Sequence, residues 1–270
     1  MDTQMIIALI LTLLAGLSTG IGSCIAFVAK HTNKKFLSVS LGFSAGVMIY
    51  VSFVELLSQA NEVLVGALGT KLGSWAAVIA FFGGMLFIAI IDRLIPEKEN
   101  PHEPRFVEDE NVEVDVKPES KSLMRMGFMT ALAIAIHNFP EGLATFVSAM
   151  QDTSVAIPVV VAIAIHNIPE GIAVSVPIYQ ATGSKRKAFI YSFLSGLAEP
   201  LGAIIGALIL MPFMNDTMFG IVFAIVAGIM VFISFDELLP AAREYGENHL
   251  SIYGLISGMI VMAISLLLFI

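Results

Sequence analysis

Two twelve-residue stretches hold the side chains with the most chemistry: A-I-A-I-H-N-F-P-E-G-L-A from Ala133 and A-I-A-I-H-N-I-P-E-G-I-A from Ala162, identical at ten of twelve positions. In each, His and Glu are four residues apart and Asn and Glu three apart. On a helix those spacings put all three side chains on one face, with Cβ atoms about 5–6 Å apart. Glu199, followed by Pro200, repeats the pairing of an acid with a helix breaker. Together His137, Asn138, Glu141, His166, Asn167, Glu170 and Glu199 offer imidazole nitrogens, amide oxygens and carboxylates, with no thiolate. Such a set suits Zn²⁺, Fe²⁺, Mn²⁺ or Co²⁺ and argues against Cu⁺. These donors exceed the four that one zinc takes, so two adjacent ions sharing Glu141 and Glu170 are expected.

The elements that carry these residues are membrane helices. Of 270 residues 57% are apolar and only 13% charged, and the mean hydropathy is +0.88, which excludes a soluble globular domain and a disordered chain. The lone Cys24 excludes a disulfide framework or a multi-cysteine zinc site. Nothing in the pattern points to nucleic acid. Windows of about 20 apolar residues, the length that crosses a bilayer, recur eight times. They run Met5 to Ala29, Phe36 to Ala60, Ser74 to Ile95, Leu123 to Met150, Val155 to Ile178, Ala188 to Met211, Met218 to Leu239 and Ser251 to Ile270. The reading is an all-α integral membrane protein, one polytopic domain over residues 1–270. The first span is read as retained, since no cleavage context follows it.

Orientation follows from the 14 Lys and Arg, which are held on the cytoplasmic side during insertion. Thirteen fall after spans one, three, five and seven, and Lys71 alone falls on the opposite side. Both termini are therefore expected outside the cytoplasm, in a plasma-membrane protein. The net charge of −8 is largely local, because nine acids lie between Glu97 and Glu119. The segment of about 96–122 reads as a mobile acidic cytoplasmic loop, with His102 in a solvated linker.

An ionisable group at the centre of a membrane helix costs about 2.5–3.5 kcal/mol, so three carboxylates cost about 8–10 kcal/mol unless something neutralises them. Glu141, Glu170 and Glu199 lie near the middle of their spans, and no Lys or Arg lies at that depth. Protons, water or a metal cation must compensate. Consecutive spans run in opposite directions, so the two motif copies face each other with inverted pseudo-symmetry and build a site between them. Pro140 and Pro169 leave the carbonyls of Ile136 and Ile165 without their usual donors, so spans four and five are expected to kink at the core. Glu55 near the outer end of span two, and Asp236 and Glu237 near the inner end of span seven, are candidate entrance and exit contacts for the ion. The pairs Gly16 and Gly20, Gly42 and Gly46, Gly202 and Gly206, and Gly254 and Gly258 permit close helix approach. Packing within the chain is the reading taken, with a homodimer face as the other use. The 14 methionines are scattered through apolar runs and receive no function.

On the duplicated H-N-x-P-E-G the chain closely resembles the ZIP family of zinc and iron transporters, over essentially its whole length. That resemblance implies uptake of divalent metal into the cytoplasm through a binuclear site, with the metal as cargo and no cofactor. It implies that Glu141, His166 and Glu170, with His137 nearby, form a zinc-preferring position. Asn138, Glu141, Asn167, Glu170 and Glu199 would form an adjoining one that accepts Fe²⁺. Asp236 and Glu237 fall where related proteins handle metal near the exit. Unlike many eukaryotic members, the chain has no His-rich run in its long loop. The expected cargo is zinc, with iron, manganese, cobalt and cadmium as further ions, moved by alternating access as spans four and five rock against the rest. The rival reading is a membrane-embedded zinc-dependent hydrolase. It is the weaker one, because H-E-x-x-H is absent and no spare carboxylate stands as a general base. An ion channel is weaker too, since a multidentate site holds cations too tightly for channel flux.

Overall fold

The computed structural model describes residues 3–28, 34–94, 118–151, 153–210, 213, 215–245 and 248–268. Among them every regular element is helical. Eight rods follow the order of the expected spans: α1 (Thr3–Val28), α2 (Lys34–Val51) running through a π turn (Ser52–Leu56) into α3 (Leu57–Leu68), α4 (Thr70–Leu94), α5 (Pro118–Gln151) and α6 (Thr153–Thr182). The sixth rod is α7 (Lys185–Gly196) with α8 (Ala198–Ile205) and a π turn (Gly206–Leu210). The seventh joins α9 (Asp216–Ile233) through a π turn (Ser234–Leu238) to α10 (Leu239–Tyr245), and α11 (Asn248–Leu268) is the eighth.

Six of these rods are long and apolar enough to cross a membrane, and α6 adds a shorter apolar stretch, Ile163–Val176. Pro140 lies inside the continuous helix α5. Rod ends follow local chemistry. Ser184 caps α7 by accepting from the Lys187 N–H at 3.3 Å, and Asn215 caps α9 by accepting from the Met218 N–H at 2.9 Å. Gly69 and Gly183, at φ +81° and +63°, end α3 and α6 in the left-handed region that glycine tolerates.

The expected loop of about 96–122 needs one correction. Residues 118–122 are helical, because Pro118 is pre-set for a first helical position. His102 and the remaining loop residues lie outside the described residues.

Apolar side chains line the outer faces of α1, α4 and α11, where Leu14, Ile79, Phe82, Leu86 and Leu267 are more than half exposed. The main core gathers around α2 and α9, with Met48, Val51, Phe219, Phe223 and Met230 buried. Packing sorts the rods into two groups. The first, fourth, fifth and sixth knit together, as do the second, third, seventh and eighth; the groups touch mainly through α2 against α6 and α5 against α9.

Glycines bring the backbones together within each group. A Cβ on Gly142 would fall on the Glu199 carbonyl oxygen, and one on Gly202 on that of Phe139. The same crossing recurs between α6 and α1, where Gly171 meets the Thr19 carbonyl and Gly22 that of Ile168. In the other group Gly84 meets Ile225 and Gly228 meets Phe81, while Gly258 meets Phe43 and Gly46 meets Leu255. These contacts pair off under fixed shifts: 29 residues between α5 and α6, 180 from the first rod to the sixth, 182 from the second to the seventh and 174 from the third to the eighth. The 182-residue shift also exposes a second internal repeat. G-V-M-I-Y-V-S-F-V-E-L-L from Gly46 and G-I-M-V-F-I-S-F-D-E-L-L from Gly228 agree at seven of twelve positions, and each contains a π turn. Gly16 and Gly196 face each other's carbonyls, so the small-residue pairs expected to pack within the chain do so.

Candidate metal centre

Three rods bring the sequence-predicted ligands inward. α5 supplies Asn138 and Glu141, α6 supplies His166, Asn167 and Glu170, and the first turn of α8 supplies Glu199. All six are at most 1% exposed. The sixth rod breaks at Leu197, between α7 and α8, three residues before Pro200. Pro200 has no N–H for the Gly196 carbonyl, which instead faces Gly16 of α1.

The two motif copies meet across the interface they build. His166 Nε2 of one copy lies 2.8 Å from Glu141 Oε1 of the other. Asn167 Nδ2 donates to Glu199 Oε1, and Glu199 lies within electrostatic reach of Glu141 and Glu170. The two amides are anchored alike: Asn138 Nδ2 donates to the Ser195 carbonyl and Asn167 Nδ2 to the Ala15 carbonyl, each at 3.2 Å. A carbonyl can only accept, so this anchoring fixes which end of each amide is nitrogen and leaves both Oδ1 atoms as acceptors. Among the described residues Asn138 Oδ1, Asn167 Oδ1, Glu141 Oε2 and Glu199 Oε2 are buried without a hydrogen-bond partner. Buried acceptors of this kind cost free energy unless a donor or a cation meets them.

Other placements complete the picture. His137 precedes Glu141 by one turn on α5, and its side chain lies outside the described ones. No group of three or more His, Cys, Asp or Glu side chains among the described residues is drawn to metal-coordination spacing; the contacts are pairwise. Glu55 lies in the π turn Ser52–Leu56, half-buried, and accepts from Gln59 Nε2. Asp236 and Glu237 lie half-buried in the matching π turn Ser234–Leu238. Glu55 and Glu237 correspond under the 182-residue shift, and Glu55 stands apart from the candidate centre. Eleven residues of helix separate Glu55 from Ser44, about 16 Å of rise.

Sequence reasoning missed Ser44. Fully buried on α2, it has Oγ 3.2 Å from Glu170 Oε1 and 3.4 Å from the His166 carbonyl, so it bridges the two groups of rods at the centre. Serine is common in membrane helices, and no motif surrounds this one.

The rods are those of a multi-pass helical membrane protein. The chain belongs to the ZIP Zinc transporter family, whose model matches residues 2–266. It is 70% identical to "Zinc transporter ZupT" of Streptococcus mutans serotype c over all of both chains. Proteins of the same name from Clostridium perfringens and Oceanobacillus iheyensis are each 64% identical, covering 99% and 98% of this chain and 97% and 98% of their own. With the chain a transporter and not an enzyme, the hydrolase reading falls.

Proposed function

We propose that this chain carries zinc, and with it Fe²⁺, Mn²⁺, Co²⁺ and Cd²⁺, across the plasma membrane into the cytoplasm. The observation that carries the reading is a set of three fully buried carboxylates, Glu141, Glu170 and Glu199, with no Lys or Arg among the buried residues described. Divalent cations neutralise that charge, and the unpartnered Asn138 and Asn167 oxygens accept them. His137, Asn138, Glu141, His166, Asn167, Glu170 and Glu199 hold two ions that share Glu141 and Glu170. Glu55 meets the ion on its way in, and Asp236 and Glu237 on its way out. The relatives' name, zinc transporter, supports zinc as the main cargo.

In this reading all eight rods cross the bilayer as one unit over residues 1–270, bent at Pro140 and Pro169, with inverted halves and both termini outside. Alternating access exposes the centre to each side in turn. The moving body is larger than spans four and five alone. Their glycines press on the backbones of the first and sixth rods, so those four rods move together against the other four. The test is zinc uptake into proteoliposomes loaded with a zinc dye. Glu141→Ala and Glu170→Ala should each abolish uptake while the protein stays folded, and uptake equal to the parent's would refute the assignment.

A further inference from the structure

We infer that Thr19 is a further donor to the cation centre, standing opposite Glu199 and acting with Asn138. The inference rests on the proposed function and adds a residue that the duplicated motif does not contain.

The 180-residue shift that relates the first rod to the sixth places Thr19 where Glu199 stands. The backbone packing around one has its counterpart around the other, although Asn167 donates to Glu199 and Asn138 makes no matching bond to Thr19. Gly171 packs on the Thr19 carbonyl as Gly142 packs on that of Glu199. A Cβ on Gly196 would lie 2.9 Å from Thr19 Cβ, and one on Gly16 would lie 3.4 Å from Glu199 Cβ. Asn167 is anchored on Ala15, four residues before Thr19, as Asn138 is anchored on Ser195, four residues before Glu199. The pseudo-symmetry thus matches a hydroxyl on α1, bordering Gly196, to the carboxylate on α8.

That hydroxyl is uncommitted for a physical reason. A threonine in a helix usually donates to the carbonyl four residues earlier, as Thr12 does to Ala8, Thr145 to Glu141 and Thr182 to Ile178 at 2.7–2.9 Å. The carbonyl available to Thr19 is that of Ala15, which Ser18 Oγ at 2.6 Å and the Asn167 amide at 3.2 Å already engage. Thr19 is fully buried, and its Oγ1 has no hydrogen-bond partner among the described residues. An idle hydroxyl inside a membrane protein is costly, whereas one lone pair on a cation and its proton on a carboxylate would satisfy it. The oxygens it joins, from Asn138, Asn167 and Glu199, favour hard ions such as Mn²⁺.

The test measures equilibrium binding of Mn²⁺ and of Zn²⁺, each alone, to the purified full-length protein. Thr19→Val, which keeps the shape and removes the hydroxyl, should weaken Mn²⁺ binding about three- to ten-fold and Zn²⁺ binding less, the scale of one lost neutral polar contact. Thr19→Ser should bind both ions as the parent does. Unchanged Mn²⁺ binding in Thr19→Val, or an equal loss in Thr19→Ser, overturns the inference. Glu199→Gln separates the two levels: if it loses Mn²⁺ while Thr19→Val does not, only Thr19 is excluded, and if neither loses it, the proposed centre fails as well. Should Thr19→Val not fold, the exchange Thr19→Glu with Glu199→Thr decides. It moves the carboxylate to the opposite rod, beside a glycine, and should restore Mn²⁺ binding above that of Glu199→Thr alone; no restoration overturns the inference.

Discussion

At the residue scale, the centre is a problem of uncompensated negative charge, and each polar neighbour either positions a carboxylate or keeps an oxygen available. Ser44 belongs to the first kind. Its single proton is shared between Glu170 Oε1 and the His166 backbone carbonyl, so it positions the Glu170 carboxylate from outside that residue's own group of rods. Ser44→Ala should therefore lower apparent zinc affinity about ten-fold, the scale of a hydrogen bond to a charged group, without changing protein yield. Uptake measured over a range of zinc concentrations checks it. The buried polar cluster of α5, α6 and α8 was legible as candidate ligands because a twelve-residue identity and a mid-span acid are rare in apolar sequence. Ser44 was not, because a single hydroxyl is ordinary there and only the three-dimensional crossing shows that it meets Glu170.

At the scale of elements, glycine decides how near two helices come, and its effect is confined to the crossings. A methyl group on Gly171 would meet the Thr19 carbonyl, whereas Gly83 of α4 has nothing within 4 Å. Gly171→Ala should destabilise the protein by about 1–3 kcal/mol through overpacking and depress transport, while Gly83→Ala should leave transport intact and raise the melting temperature slightly. Thermal unfolding in detergent, with uptake alongside, distinguishes the two. The long apolar rods were legible from hydropathy, but their ends were not: a polar first turn at Pro118 reads as loop until its helix is seen. The second repeat was hidden because exchanges among Val, Ile, Tyr and Phe cost little in a membrane helix, leaving seven identities dispersed among apolar residues. The π turns leave no compositional mark.

At the scale of the molecule, two groups of four rods meet where Ser44 touches the buried Glu170, with matched π turns carrying Glu55 on one rod and Asp236 and Glu237 on its counterpart. Because the imidazole and carboxylates must shed protons to hold metal, loading becomes less favourable as the pH outside falls. Zinc uptake driven only by the zinc gradient should decline steadily as the outside pH is lowered. Uptake that stays constant or rises under those conditions would contradict this assignment of ligands.

The central claim is that doubly charged ions compensate the buried acids, and the number of ions held by the purified protein tests it most directly. Equilibrium dialysis should find two zinc ions per chain in the parent, and a deficit of both when Glu141→Gln and Glu170→Gln are combined. Retention of two ions by that double variant, or of none by the parent, would contradict the account.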